Sequence, residues 1–345
     1  MTKTRKVAIL GATGAVGQRF LSLLDGHPTF RVAELVASDR SAGKRYADAC
    51  RWVLNEEMPR EAADLPVRQA TDDLDADVVF SALPSGTAGP LESELAKRGY
   101  AVFSNAKDHR MDPDVPLLIP EVNPDHLALV ETQPTDGFIV TDPNCSACVL
   151  TMTLAPLAPL GLRSLVVTTF QALSGAGYPG VPSLDSVANV VPFIGNEEPK
   201  IESEPQRMLG KLGPDGRVVA ADLAISATAT RVPVEEGHSM AVNLKLDRRV
   251  DASEIVAAWN GYRSRPQELS LPLAPRQPVV YRTEENRPQP RKDWPRERGM
   301  AVSVGRLRPD PILGWKYFAS GSNTVRGAAG GSILNAELAI AEGYL

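Results

Sequence analysis

The chain opens on a repeating alternation of short apolar runs and amphipathic stretches. Lys6 to Leu10, Arg31 to Ala37 and Asp77 to Ala82 read as buried strands, and Gly14 to Leu24, with apolar positions three and four apart, reads as a helix between the first two. Glu92 to Arg98 continues the rhythm as a helix, with Val102 to Ser104 and Phe138 to Asp142 as further short strands. Strands alternating with helices in this way form βαβ units that feed a doubly wound parallel sheet. The pattern changes from Leu165 onward. The runs VVTTFQAL, RVVAADLAISATATRVPV, HSMAVNLKL and MAVSVGRLR are longer and rich in β-branched and alternating residues, which suits an antiparallel sheet. Pro266 to Arg298 is rich in Pro, Arg and Glu without sustained periodicity and predicts a loop or arm. Gly327 to Tyr344 returns to an Ala and Leu helical pattern that is expected to pack back onto the first domain. The expected architecture is α/β: a Rossmann-type parallel-sheet domain over 1–144, completed by a terminal helix at 325–345, and an α+β substrate and dimerisation domain over 145–324 with a largely antiparallel sheet.

Length and composition narrow the function classes. A chain of 345 residues is too long for one small core and fits two joined domains. With 43% hydrophobic and 23% charged residues, neither disorder nor a fibrous architecture is favoured. A net charge of -5 with scattered basic residues lacks the positive footprint that nucleic acid requires, so no nucleic-acid partner is expected. No stretch approaches the roughly 18 unbroken apolar residues of a membrane span. The start MTKTRKVAIL passes from a short basic segment into a strand without the features of a signal peptide, so a cytoplasmic location is expected. Cys50, Cys145 and Cys148 are too few for a disulfide framework.

Two segments carry chemistry. In VAILGATGAVG, Gly11, Gly14 and Gly17 follow a buried strand at the mouth of a helix, a variant of the dinucleotide fingerprint in which Thr13, Ala15 and Val16 complete the turn. Gly11 would allow the tight turn, Gly14 the approach of backbone to pyrophosphate, and Gly17 close helix packing, with the helix N-terminus facing the phosphates. At the next strand end, Ser38, Arg40, Ser41 and Lys44 cluster around Asp39 in ASDRSAGK. Hydroxyls with a guanidinium suit a 2′-phosphate, so NADP is expected over NAD, and Asp39 is the one residue that argues the other way. FSALPSG would place Ser81 to Gly86, including Pro84, over the pyrophosphate and nicotinamide. The second segment, TDPNCSACVLTM, runs from a strand into a helix whose first turn begins near Cys145. A thiol there feels the positive end of the helix dipole, which lowers its pKa, and the free N–H groups beside it suit an oxyanion. CSAC also spells CxxC, but no second CxxC or closely spaced His pair completes a zinc site, and a thioredoxin-like pair belongs on a smaller fold without a nucleotide site. No metal is expected.

The motifs PNCSA, FQALSGAGYPGVPSLD, GNEEPKIESEPQRMLG, RVPVEEGHS, RPQPRKDWPRERGMAVSVGR and NTVRGAAGGSILNAEL resemble aspartate-semialdehyde dehydrogenase, in its archaeal and fungal branch, and the likeness covers nearly the whole chain. The resemblance implies NADPH-dependent reductive dephosphorylation of L-4-aspartyl phosphate to L-aspartate 4-semialdehyde and phosphate, on the route to lysine, threonine and methionine. It implies Cys145 as nucleophile, His238 as general acid/base, and Gln171 as the residue that orients the thioacyl intermediate. It also implies Arg231 for the substrate carboxylate and Glu197 for its amino group, with Glu198 as an alternative. Asn105, Arg110 and Lys200 are implied around the phosphate, and Ser174, Gly175, Gly177 and Asn323 around the nicotinamide and ribose. His238, near its ordinary pKa, would accept the thiol proton and return it later. A homodimer or homotetramer is implied, and His27, His109 and His126 are expected to be structural.

Two other readings share these residues. A related reductase of another activated acid, such as malonyl-CoA, would need carboxylate recognition and room for a long thioester. A catalytically retired NADP-binding regulator would have lost Cys, His, Gln or Arg from the set, and all four are present. The family usually has Thr where this chain has Ala147. Cys148, one turn after the nucleophile, raises the alternatives of a buried apolar residue and an oxidation-sensitive Cys145–Cys148 pair.

Overall fold

The structure is a computed structural model and describes residues 4–69 and 73–345. Met1 to Lys3 of the basic start and Ala70 to Asp72 of the first expected domain lie outside the described residues. Strands β1 (Arg5–Leu10), β2 (Phe30–Val36), β3 (Val67–Arg68), β4 (Val78–Ser81), β5 (Ala101–Ser104) and β6 (Phe138–Thr141) form a six-stranded sheet in the order β3-β2-β1-β4-β5-β6. Every pairing in it is parallel. Helices α1 (Ala15–Leu24) and α2 (Ala88–Lys97) connect its strands. The order reverses between β1 and β4, which opens a crevice where their carboxyl ends diverge. Val7, Ile9, Phe80 and Phe103 pack with Phe20 and Phe30, and Phe80 stacks on Phe20 at 4.8 Å between ring centroids.

Beyond β6 come helix α3 (Cys145–Leu154), strand β7 (Leu162–Gln171), helix α4 (Glu197–Met208), strands β8 (Ala224–Arg231) and β9 (His238–Leu246) and helix α5 (Ala252–Gly261). They are followed by β10 (Val279–Arg282), β11 (Val302–Asp310), β12 (Gly314–Gly321) and the terminal helix α6 (Gly330–Ala341). The second sheet has the order β8-β7-β9-β12-β11-β10. Its three central pairings are antiparallel, and the two at the edges, β8 with β7 and β10 with β11, are parallel.

Three local expectations need correction. Only Ala224–Arg231 of the run beginning RVVAAD joins the large sheet, because Val218–Val219 pairs with Lys211–Leu212 in a separate two-stranded ribbon. The Pro-rich arm is not wholly loop, since β10 extends the sheet from within it. Its Val279 is fully buried, which a local count of Pro and Arg does not register. Helix α2 starts four residues ahead of its expected Glu92, at Ala88. Helix α6 packs into the core of the first sheet through Ile333, Leu334 and Leu338. Among the described residues no helix is long and apolar enough to cross a membrane.

Helix α3 is buried on every side from Ser146 to Leu154, as its all-round apolar sequence requires. Two contacts hold it from the C-terminal direction. Arg326, in a π-helical turn over Val325–Ala329, makes a two-pronged ion pair with Glu121 at 2.8 and 2.5 Å and touches Met152 Sδ at 3.4 Å. Gly327 then lies so close to α3 that a Cβ on it would stand 2.7 Å from Cys145 Cβ. Removing one partner of a buried ion pair strands the other charge in a site with no water. Arg326→Met is therefore expected to cost about 3–5 kcal/mol, read as a lower midpoint in denaturant unfolding. A change below about 1 kcal/mol would contradict this role for the pair.

Candidate active site

A cleft of about 1080 Å³ runs from Thr13, Gly14, Ala15 and Val16 past Pro84, Ser174, Gly175 and Gly177 to Asn105, Lys200 and Cys145. Its outer half is built by the glycine turn. Gly11 has φ +73°, and a Cβ there would meet Ala82 O at 2.7 Å beyond the end of β4, so the turn between β1 and α1 needs this residue. A Cβ on Gly17 would drive into Gly11 O, which ties α1 directly against the turn. Gly14 caps α1 without a side-chain hydrogen bond, and the first turn carries no acidic residue. Uncapped N–H groups at a positive helix end, facing a cleft with no opposing carboxylate in that turn, fit the phosphates of a dinucleotide.

The ribose-phosphate cluster is only partly in place. Arg40 lines the cleft, whereas Ser38 and Lys44 are exposed and Ser41 is half-buried, and none of these three lines it. Ser38 O instead accepts the N–H of Ser41 at 2.8 Å, so the segment is folded into a turn of its own. Ser81 also departs from expectation: it ends β4 fully buried beneath the cleft, and Pro84 reaches the lining.

Cys145 is the first residue of α3, and its Sγ lies 3.2 Å from His238 Nε2. Asn144 caps the helix, its Oδ1 accepting the N–H of Ser146 and of Ala147 at 3.0 Å each. These two N–H groups are therefore engaged, contrary to the expectation that they stand free for an oxyanion, and the Cys145 N–H is the first-turn donor that this cap leaves unused. Electrostatics differ from expectation as well. Burial, with the Glu197 charge adding to it, pushes the Cys145 thiol up to about 12 against the pull of Arg110 and Arg231. Burial, reinforced by Arg231, pushes His238 down to about 3. Both shifts favour the uncharged forms, thiol and imidazole, because desolvation outweighs the helix dipole.

Behind the thiol lies a polar hub. Glu197 Oε1 accepts Asn144 Nδ2 at 2.9 Å and Gln171 Nε2 at 3.0 Å, and Lys200 Nζ lies 3.4 Å from its Oε2. Glu198 turns the other way and accepts the Ala229 N–H at 3.0 Å, so it is Glu197 that faces the site. Arg231 is anchored by Nη1 on Ala172 O at 2.7 Å, and the Ala172 N–H donates to His238 Nδ1 at 3.1 Å. Gly175 is required beside them, since its Cβ would stand 2.8 Å from both Arg231 Nη1 and His238 Cε1. Asn323 bonds Ser174 Oγ at 2.9 Å and the Gly237 N–H at 2.9 Å, which sets the loop ahead of His238.

Arg110 reaches the cleft, yet its nitrogens already serve the protein: Nε bonds Asp142 O at 2.9 Å, Nη1 bonds Glu204 at 3.0 Å and Nη2 bonds Asn105 O at 2.9 Å. It braces the site as a buried cation. Lys107, which sequence reasoning passed over, lines the cleft as an exposed ammonium beside Asn105. Glu204 was missed too. Its Oε2 accepts the Asn144 N–H at 2.6 Å while Oε1 holds Arg110. The spacing of Glu197, Lys200 and Glu204 on one face of α4 was the available signal. Cys148 is buried with its Sγ toward Arg326 O at 3.5 Å, and all three cysteines are free thiols.

Residues 6–130 match the family model described as semialdehyde dehydrogenase, NAD binding domain, and residues 154–326 match semialdehyde dehydrogenase, dimerisation domain. The aspartate-semialdehyde dehydrogenase of Archaeoglobus fulgidus is 49% identical over 342 residues, covering 97% of this chain and 98% of that protein. Its counterpart in Methanothermobacter thermautotrophicus is 50% identical over 341 residues, covering 96% and 98%. The crystal structure of aspartate semialdehyde dehydrogenase with NADP from Candida albicans superposes with a TM-score of 0.92 at 38% identity, covering 99% of this chain and 100% of that one. Two family models matched in order, relatives alike over nearly their whole length and a shared fold together establish that the chain belongs to the aspartate-semialdehyde dehydrogenase family.

Proposed function

We propose that the protein reduces L-4-aspartyl phosphate to L-aspartate 4-semialdehyde with NADPH, releasing phosphate, through a thioester on Cys145. The observation that carries this reading is the Cys145 Sγ to His238 Nε2 contact of 3.2 Å in the cleft that begins at the glycine turn. Cys145 attacks the acyl carbon, and its sulfur replaces phosphate as the leaving group before reduction. The Cys145 N–H, which the Asn144 cap leaves unused, would serve the oxyanion. Arg231 takes the substrate carboxylate, its plane fixed on Ala172 O, and Glu197 takes the amino group, which together favour an amino acid over a CoA ester. Gln171, pinned by Thr169 at 3.3 Å and by Glu197, orients the acyl group. Asn105, Lys107 and Lys200 receive the phosphate, with Arg110 as the fixed charge behind them. The glycine turn over residues 11–17, with Pro84, Ser174, Gly175, Gly177 and Asn323, holds the dinucleotide, and Arg40 selects its 2′-phosphate; when bound, NADPH supplies the hydride.

We further propose that 1–144 with 325–345 form the NADP-binding unit and 145–324 the catalytic and dimerisation unit, and that the enzyme acts in the cytoplasm. A homodimer or homotetramer is supported by the uncovered outer face of the second sheet, where Phe170 and Phe318 stack at 6.0 Å, and by the strongly exposed Leu184, Val187 and Phe193.

Three outcomes test these roles. Cys145→Ser is expected to lower kcat by roughly a thousandfold or more while NADPH still binds, measured by turnover and fluorescence titration, and near-normal turnover would end the covalent route. NADPH is expected to outperform NADH, and Arg40→Met to weaken NADPH about tenfold with NADH unaffected, which equal losses for both coenzymes would contradict. In the phosphate-dependent oxidative direction, Lys107→Ala is expected to raise KM for phosphate about tenfold with little change in kcat. An unchanged KM would remove Lys107 from the phosphate site.

A further inference from the structure

Among the described residues, the side chain of Arg51 in the coenzyme cleft bonds neither a carboxylate nor a main-chain carbonyl. Its main chain is nevertheless fixed. Gln18, buried on α1, donates from Nε2 to Thr13 O and to Arg51 O at 3.0 Å each, and its Oε1 accepts the Val53 N–H at 2.8 Å. One amide thus ties the Arg51 segment to the glycine turn. The exposed Arg51 side chain places its guanidinium carbon 5.1 Å from the centre of the Tyr178 ring. Tyr178 comes from the other side of the cleft, in the loop after β7, bracketed by Gly177 at φ +70° and Gly180 at φ +86°. Tyr178 is 53% exposed, so the contact is not a by-product of core packing. An aromatic ring takes one face of a guanidinium, holds the side chain in place and leaves its N–H edge for an anion. One charge of the coenzyme also lacks a counterpart. Arg40 serves the 2′-phosphate, and Lys107, Lys200 and Arg110 serve the phosphate of the substrate. The doubly charged pyrophosphate meets only the N-terminus of α1, worth roughly half a unit charge.

We propose that Arg51 is the counter-charge of the coenzyme pyrophosphate and that Tyr178 is the residue that positions it, so that the two sides of the cleft grip the coenzyme through one side-chain pair. The inference rests on the dinucleotide reading of the cleft and not on which acid is reduced. Two arginines then divide the work. Arg40 sets which coenzyme is chosen, and Arg51 sets how tightly either one is held. The pyrophosphate is common to NADPH and NADH, so a residue that serves it does not discriminate between them. Tyr178 makes no phosphate contact of its own and acts through the guanidinium it holds.

Fluorescence titration of the full chain with each coenzyme, in the absence of substrate, tests this. Arg51→Met is expected to weaken NADPH and NADH equally, by about tenfold. A loss confined to NADPH would move Arg51 to the 2′-phosphate, and no loss would remove it from the site; either result overturns the proposal. Tyr178→Ala is expected to weaken both coenzymes about threefold, and Tyr178→Phe, which keeps the ring, to restore the affinity. If the phenylalanine variant binds as weakly as the alanine variant, the ring contact is not what positions Arg51. The double variant Arg51→Met/Tyr178→Ala is expected to bind no more weakly than Arg51→Met alone, whereas losses that multiply would overturn the positioning role. Both side chains are exposed, so these changes leave the core as it is. A wild-type chain that binds neither coenzyme would instead defeat the dinucleotide reading itself.

Discussion

The catalytic end of the molecule depends on how Asn144 is held. Two carboxylates from one face of α4 grip it, Glu204 by its main-chain N–H and Glu197 by its side-chain amide, and Asn144 in turn caps α3. Buried carboxylates at a helix start are tolerable only with cations near by, and Arg110 and Lys200 supply them. The direction of Cys145 thus follows from a charge arrangement contributed by three separate segments. Gly327, pressed against Cys145 from the C-terminal turn, bounds it on one side.

The second sheet serves the site through its strand ends. Gln171 and Arg231 end the parallel neighbours β7 and β8 in register with one another, and His238 begins the antiparallel β9 on the other side of β7. Antiparallel pairing brings the start of β9 level with the end of β7, so side chains distant in sequence converge without a long loop. The same alternation that turns Gln171 inward turns Phe170 outward, toward the open face of the sheet.

Much of this was legible in the sequence. The strand rhythm, the glycine turn and the helix that starts at Cys145 are local features, fixed by periodicity and by steric demands within a few residues, and they lie within a residue or two of expectation. What was not legible depends on burial and on distant partners. Arg110 reads as a phosphate ligand until Asp142, Glu204 and Asn105 are seen to occupy it. Ser38, Ser41 and Lys44 have suitable chemistry in a turn that leaves them outside the cleft. No spacing rule foretells that the Ala172 N–H, 66 residues from His238, meets its ring. The Cys145 shift runs against the expected thiolate for a related reason, because helix position is written in the sequence and desolvation is not.

The shift of the Cys145 thiol toward its protonated form bears on how long the protein stays intact. Peroxide and electrophiles attack sulfur as its anion, and a cysteine that rests as the neutral form offers them little until substrate arrives. Cys148, more deeply buried and with its sulfur turned toward Arg326, adds no ready reaction partner. Reactivity is thus confined to the moment of turnover, and chemical ageing of the nucleophile is slowed by the same burial that makes its activation conditional.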